Sequence, residues 1–446
     1  MRGSEITLSQ SRNAPAQTVV PNVFRQIGLL ALIFGCSASY LAAQDIARPS
    51  LGMQRAAYPL ASPTVPASRF NVKVGPVKML FNAGMGVQYN SNVNVSEGNP
   101  EPDLILQPRV GAGIYWPITK LNKLRLNVQL GYDYYMQNPD LGGEVLIIDP
   151  STEFLFNLFV NVPNLKITFF ERPSVSVNPV DNATLSDAQN YAMFYNTAGV
   201  DVTWDLNDVE LGIGYSNLFT YSVGSNASDY NYMNRFVNQV YGDASFLLFP
   251  YLRLGLEGSW AYTTYLEGSQ PGSNALNNND NSTLGLFVQG KVSQYIDYSA
   301  GIGWQLVEFN ESNNPENTGN SSSPYYYITL DHTLNKYFSH RITSGFEAAP
   351  SSQSNFVQMF YVQYGFNWML IRDWSLGGSV YYQNGQESPG PNSENFDRVG
   401  ATINLGYQLT KHWVFSIYYG ITSKTSDVLS DSYNQQIIGL NATYNF

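Results

Sequence analysis

The chain has 446 residues and a formal net charge of −11, and its composition excludes several classes of protein. Charged residues make up only 13% of the sequence, about half of the roughly 25% that is typical of soluble domains. Aromatic residues reach 14%, yet the mean hydropathy of −0.20 is slightly polar. This combination is typical of a chain that shows alternate residues to lipid and to water. Binding to nucleic acid is not expected, because no cluster of Lys and Arg exists.

Residues 1–43 have the features of a secretory signal peptide. Three arginines precede an uncharged run with its apolar centre at 27–34, and small residues follow up to Ala43. An N-terminal membrane anchor is the alternative, but the apolar centre is far shorter than the roughly 20 residues of a helical span. Cys36, the only cysteine, would leave with this segment, so no disulfide is expected.

Residues 44–77 are rich in Ala and Pro and lack a clear periodicity, which predicts a periplasmic lead-in segment. This segment is too short to form the globular plug of an active transporter. The remaining residues, 78–446, are predicted to form one outer-membrane β-barrel.

The barrel prediction rests first on an alternation of apolar and polar residues with a period of two, the pattern of strands with two different faces. In 124–134 every second residue is Leu, Val or Tyr, and 399–409 repeats the pattern. A soluble sandwich could show this alternation as well. The membrane is favoured because the apolar face carries almost no charge, and because many segments are long enough for a tilted crossing.

Short turns alternate with long polar connections along the chain. The short turns include 116–120, 162–164, 205–208, 249–250, 334–337, 371–373 and 410–412. The long connections are rich in Asn, Ser, Gly and Pro, as in 268–281, 310–324 and 384–395. Short periplasmic turns and long outer loops are the expected asymmetry of an outer-membrane barrel. Aromatic residues flank the short turns and predict an interfacial girdle: Trp116, Trp204, Phe249, Tyr251, Tyr337, Trp374 and Trp413.

The predicted fold is all-β, a transmembrane antiparallel up-and-down β-barrel of about 18 strands, with 16 as the alternative. The segments lie near 78–91, 102–115, 122–136, 144–160, 164–172, 189–204, 207–219, 231–248, 251–266, 282–292, 295–309, 323–334, 338–348, 354–369, 374–384, 396–409, 412–423 and 433–446. The fourth and fifth segments are the least regular. The even count places both ends of the barrel in the periplasm.

The two ends of the predicted barrel are motif-like. The opening strand leads into Tyr89-Asn-Ser-Asn92, and the last strand ends in Tyr444-Asn-Phe446 after the hairpin that begins at Ser423. With these features and turns such as Leu409-Thr-Lys-His-Trp413, residues 70–446 resemble a family of bacterial outer-membrane β-barrel porins. The resemblance implies a pore-forming protein of the outer membrane with no particular substrate. It also implies that the assembly machinery reads the C-terminal strand, although Asn445 replaces the usual Arg.

If the apolar face meets lipid, the opposite face lines the lumen. Tyr444 and Phe446 are then expected to serve barrel closure and assembly. A barrel of this width holds an aqueous channel. Mixed charge with a slight acidic excess predicts passive diffusion of small hydrophilic solutes with mild cation preference. The expected pore-lining residues are Arg109, Arg125, Asp133, Glu210, Asp243, Arg253, Glu257, Lys291, Asp297, Asp331, Arg341, Glu347 and Arg398.

Two alternatives to a channel remain open at this point. The inner groups could satisfy one another in a closed interior, and the protein would then be a non-conducting surface scaffold or adhesin. An outer-membrane hydrolase has little support, because no spacing matches a zinc site or a Ser–His–acid arrangement and no catalytic residue, cofactor or metal is expected. The only histidines, His332, His340 and His412, lie beside short turns. Gly-x-Gly pairs lie at 84/86, 111/113, 212/214 and 301/303. A nucleotide-binding motif would need a helix after the glycines, which these pairs lack, so they are expected to make room on one strand face.

Overall fold

A computed structural model describes residues 70–139, 145–160, 162–225, 227–266, 276–310, 314–317, 319–371 and 373–446. The predicted signal peptide and all but the last residues of the predicted lead-in lie outside these ranges. Within them, no helix is long and apolar enough to cross a membrane.

The described residues form one antiparallel sheet of 21 strands. The strands are β1 Val72–Val74, β2 Val77–Asn90, β3 Asp103–Pro117, β4 Lys123–Gly131, β5 Tyr134–Tyr135, β6 Ile147–Ile148, β7 Glu153–Phe159, β8 Leu165–Ser176, β9 Met193–Asp205, β10 Val209–Ser222, β11 Arg235–Phe249, β12 Leu252–Tyr265, β13 Asn278–Ser293, β14 Ile296–Asn310, β15 Ser321–Asn335, β16 Phe338–Pro350, β17 Phe356–Ile371, β18 Trp374–Glu387, β19 Asn395–Gln408, β20 Trp413–Ser426 and β21 Tyr433–Asn445. Short 3-10 helices span Pro179–Asp181, Ala227–Met233 and Leu429–Asp431.

The sheet closes on itself because β21 pairs with β2. β4 with β5, and β6 with β7, are each two pieces of one crossing, and β1 is a short addition to β2, so the barrel has 18 strands. This confirms the predicted count and the up-and-down topology. The breaks in the third and fourth crossings agree in part with the expectation, because the fourth segment was predicted to be irregular, whereas the fifth, β8, is continuous.

The outer face of the barrel is apolar and exposed. On neighbouring strands Leu284 is 68% exposed and Ile302 is 63% exposed. Residues on the other side of the same strands are mostly polar or glycine, with Phe287, Val307 and Phe309 as the apolar exceptions. A soluble sandwich would bury such an apolar outer face, whereas lipid satisfies it. All seven aromatic residues of the predicted girdle are exposed at strand ends beside the short turns. The chain is therefore an outer-membrane β-barrel protein.

The strands reach further into the outer connections than the sequence predicts. β13 begins at Asn278, β15 begins at Ser321 and β18 ends at Glu387, so parts of the predicted loops 268–281, 310–324 and 384–395 are strand. In this outer region the outward residues Asp280 and Glu308 are direct ladder partners. Strand ends that rise above the lipid have water on both faces, so their composition resembles that of loops.

The seam of the barrel joins both ends of the described chain. The backbone N–H of Phe446 donates to the carbonyl of Phe81 over 3.1 Å, and the Asn71 side chain donates to the same carbonyl over 2.8 Å. β21 pairs with β2 from Asn82 to Asn90, and β1 pairs with the same edge of β2 from Val77 to Met79. Tyr444 and Phe446 thus lie at the closing strand as expected, and their role in assembly stays a prediction.

Candidate functional site in the barrel lumen

The ladder register places the predicted pore-lining residues on one face, the inner face. Asp243 is the direct partner of Glu257, and Arg341 is the direct partner of Asp331. Asp133 follows β4 and reaches the same face through an ion pair with Arg109. That the predicted pore-lining residues contact an open channel is a proposal, because neighbouring side chains shield several of them.

Most of the inner cations are neutralised by a nearby carboxylate. Arg341 makes two bonds to Asp331, of 2.5 and 2.8 Å, and Lys291 pairs with Asp297. Arg253 approaches Asp205 at 4.0 Å. These local pairs reduce the charge that a solute in the lumen would meet.

Five of the expected pore-lining residues are buried: Asp133, Asp243, Glu257, Glu347 and Arg398. Glu257 is only 2% exposed, because the hydroxyls of Tyr325 and Tyr327 donate to its two oxygens over 3.0 and 2.9 Å. A buried carboxylate needs such donors to replace lost water. Glu257 and the two tyrosines therefore link β12 with β15.

Glycines allow the tyrosine rings to lie against the inner face of the barrel. A Cβ atom at Gly301 would come within 2.3 Å of the Tyr327 ring, and one at Gly285 within 2.2 Å of the Tyr325 hydroxyl. Gly214 makes room for Tyr241 in the same way. The expectation that the Gly-x-Gly pairs make room on one strand face is confirmed for the pairs 84/86, 212/214 and 301/303 and for Gly111. We call the inner face of β10–β16 the packed wall.

The inner face of β2–β8, here named the open wall, is different. Arg125 is exposed, and Lys123 and Lys166 are half-buried. The Arg125 guanidinium lies 6.0 Å from the centre of the Tyr115 ring, and no carboxylate pairs with it among the described residues. Charge on this wall remains accessible to a solute.

A loop between β8 and β9, residues 177–192, crosses the outer half of the lumen; we call it the crossing loop. The Thr184 hydroxyl lies 2.7 Å from that of Ser352, beyond β16. Arg398 on β19 donates to the carbonyl of Val180. β16 and β19 lie far around the barrel from β8 and β9, so the loop spans the opening between them.

A buried ion pair fixes the tip of the crossing loop. Lys424 on β20 pairs with Glu394 at 2.6 Å, both side chains are 0% exposed, and Lys424 also donates to the Ser186 hydroxyl over 2.9 Å. Burial raises the pKa of Glu394 in its outer loop. Burial likewise raises the pKa of Asp181 to about 6, although Ser176 donates to this carboxylate.

Apolar contacts also hold the crossing loop in place. Val180, Leu185 and Tyr191 pack in one cluster with Val95 of the first outer loop and Tyr433 of β21. Burial of one such Val or Leu side chain contributes about 1.5–3 kcal/mol. The loop is therefore packed in place, and the sequence reasoning missed it. The available signal was the recurrence of apolar residues in a connection otherwise made of Asn, Asp, Ser and Thr.

Within the part of the chain that the structure describes, the histidines do not form a catalytic arrangement with a serine or an acid. His332 and His340 are ladder partners on the outer face, with ring nitrogens 2.8 Å apart, and His412 contacts the carbonyl of Asn445 over 2.6 Å. Among the described residues, no three His, Cys, Asp or Glu side chains come together as metal ligands.

Comparisons with known proteins found similar solved structures at low sequence identity. No protein-family model and no curated protein matches the sequence. Acinetobacter baumannii OccAB3 is similar at 9% identity and a TM-score of 0.45, over 84% of this chain and 100% of that one. The outer membrane protein opdK of Pseudomonas aeruginosa has 11% identity and a TM-score of 0.43, over 83% and 99%. A Vibrio cholerae OmpT lacking loop L8 has 12% identity and a TM-score of 0.36, over 83% and 100%.

Proposed function

We propose that the protein is a porin-like channel through which small hydrophilic solutes diffuse passively across the outer membrane. The observation that carries this proposal is the closed 18-strand barrel with a polar inner face and an accessible open wall. Side chains cannot fill a barrel of this width, so water occupies what they leave.

The crossing loop sets the upper size of the solute in this proposal. It spans from β8 and β9 to β16–β20, and its apolar and polar contacts hold it across the lumen. The remaining passage is narrower than the barrel itself, which favours single small solutes over polymers.

A mild cation preference is part of the proposal. It is supported by the slight acidic excess on the inner face, because charge along a pore sets its ion selectivity. Most of these charges are paired or buried, so the preference is expected to be weak.

Planar-bilayer recording of the purified protein tests the channel. We expect discrete conductance steps in the wild type and larger steps in Lys424→Met, which leaves Glu394 without its cation and frees Ser186 of the loop. Breaking such a buried pair costs about 3–5 kcal/mol. Lys411→Met, in an exposed periplasmic turn, is the matched control and should match the wild type.

Thr184→Val is a milder change to the contacts of the crossing loop, useful if Lys424→Met assembles poorly. It removes the hydroxyl bonds to Ser352 and Asn182 and leaves the pair of Lys424 and Glu394 intact. A wild-type protein that inserts and gives no steps would contradict the channel.

The second candidate is a non-conducting barrel that presents its outer loops as a scaffold. The burial of Glu257, Glu347 and Arg398 favours a non-conducting barrel, because these inner charged groups interact with neighbouring residues and not with water. Liposome swelling with sugars separates the two candidates, since only a channel admits the sugar.

A further inference from the structure

The periplasmic half of the open wall carries cations without a carboxylate partner. Ion pairs engage Arg109, Arg172, Arg253, Lys291, Arg341 and Lys424. Lys123, Arg125 and Lys166 have no such pair among the described residues. The accessible charge in this part of the lumen is therefore positive, although the inner face as a whole has an acidic excess.

The ladder register brings these cations together. Lys123 and Arg125 are alternate residues on the inner face of β4, and Lys166 lies on β8. Between them, Asn157 of β7 is the direct partner of Lys123. Two strand spacings of about 4.8 Å separate β4 from β8, and Arg125 and Lys166 lie on opposite sides of the row formed by Lys123, Asn157 and Thr168. The long Lys and Arg side chains can extend from both sides toward a small solute held at Asn157.

Asn157 contributes a donor to the same place. Its carboxamide oxygen accepts a bond of 3.0 Å from the hydroxyl of Thr168. The amide nitrogen is then the end left to donate, and it lies between the lysines of β4 and β8.

The acids near these cations are already engaged elsewhere. Glu153 of β7 pairs with Arg172, and Asp201 of β9, the direct partner of Thr168, accepts a bond from the Tyr241 hydroxyl. Asp205 of β9 accepts a bond of 2.8 Å from the backbone N–H of Asn207 and lies 4.0 Å from Arg253. It is thus directed toward β10 and β12, away from Lys166 of β8.

We propose that Lys123, Arg125, Asn157 and Lys166, the basic patch, form an oxyanion-binding site in the channel. Lysine, arginine and the amide nitrogen donate hydrogen bonds only, and a guanidinium binds a planar or tetrahedral oxyanion through two bonds. The ligand class is a small solute that carries a phosphate group or several carboxylates. This inference rests on the proposed channel, because the patch faces the lumen.

Current blockade tests the site. Inorganic phosphate and citrate are added separately to the periplasmic side of single wild-type channels in KCl, with glucose as the neutral probe. We expect at least one anion to block the current reversibly. In Lys123→Gln/Arg125→Gln/Lys166→Gln the blocking concentration should rise at least about tenfold, which corresponds to about 1.4 kcal/mol. Lys291→Gln is the matched control, because Lys291 lies at the same end but pairs with Asp297.

Blockade by phosphate alone assigns phosphate-bearing solutes, and blockade by citrate alone assigns polycarboxylates. Equal blockade of the triple variant and the wild type, or equal loss in Lys291→Gln, would overturn the site. Conducting wild-type channels that neither anion blocks would also overturn it and leave the channel intact.

Equilibrium binding of both anions to the detergent-solubilised full chain is a readout that needs no conductance. Binding that the triple variant loses supports the site even in a protein that gives no conductance steps, and no binding by the wild type overturns it.

Discussion

Two inward-facing charges, one on the packed wall and one on the open wall of this barrel, have different surroundings. On the packed wall, Glu257 is covered by Tyr325 and Tyr327, whose hydroxyls both donate to its carboxylate. On the open wall, Arg125 is exposed beside Tyr115 and has no carboxylate partner among the described residues. Facing the lumen is therefore not equivalent to lining the pore, because the neighbouring strands decide whether a charge meets water.

Glycines are the physical origin of the difference. Where a strand lacks a Cβ, a ring from an adjacent strand can lie flat on the sheet and cover a polar group beyond it. Gly285 and Gly301 do this for Tyr325 and Tyr327. On the open wall, Gly111 and Gly131 instead accommodate the side chains of Gln129 and Arg109, which are half-buried.

Filling one of the glycine positions should break the packed wall. In Gly301→Ala the new Cβ would lie 2.3 Å from the Tyr327 ring, so we expect a loss of about 1–3 kcal/mol in the free energy of unfolding. Urea unfolding of vesicle-inserted protein measures this loss. Gly365→Ala is the control, because the nearest atom lies 3.8 Å away and the change should be neutral or stabilising. Equal losses in both variants would contradict the proposed packing.

The crossing loop, which joins the two walls, should respond to pH through Asp181. Burial outweighs the effect of Arg398 and raises the pKa from 3.8 to about 6. The Asp181 carboxyl therefore binds its proton more tightly when the crossing loop is docked than when the loop is released. Docking is strongest below about pH 4 and weakens as the pH rises through about 6.

Channel conductance should accordingly be lower at pH 4 than at pH 7, and Asp181→Asn should flatten this dependence. Asp187→Asn is the control, since Asp187 lies in the same loop but is exposed. Bilayer recording across this range is the measurement, and an unchanged pH profile in Asp181→Asn would assign the response to other groups.

Charge reversal should separate the exposed from the paired arginines. Arg125→Glu and Arg253→Glu both place an acid in the lumen, so both should increase cation preference. The shift in reversal potential should be larger for Arg125→Glu, because Asp205 already offsets part of the Arg253 charge. Equal shifts, or no shift for either, would remove the distinction between the walls.

Much of the fold followed from the sequence. The period of two identified all 18 crossings, because lipid and water impose different residues on the two faces of each strand. The same alternation assigned the inner face correctly for Arg109, Glu257 and Arg398. Strand ends such as 278–281 were misassigned to loops, since the alternation fades where both faces are hydrated.

The site was harder to predict than the fold. Whether Glu257 is covered depends on tyrosines more than 60 residues away that approach only after the strands pair. The crossing loop depends on contacts between Val180 and Arg398, and between Ser186 and Lys424, which span the barrel. No local pattern encodes such contacts, although the apolar residues in the loop hinted at burial.

Thiol accessibility tests the contrast between the walls most directly. Cys36 is replaced by Ser, and single cysteines are introduced at Arg125 on the open wall and at Thr329, which is 4% exposed on the packed wall. A charged, membrane-impermeant thiol reagent is then applied to single channels. We expect it to lower the conductance of Arg125→Cys in one step and to leave Thr329→Cys unchanged. Modification of both, or of Thr329→Cys alone, would contradict an open passage along β2–β8.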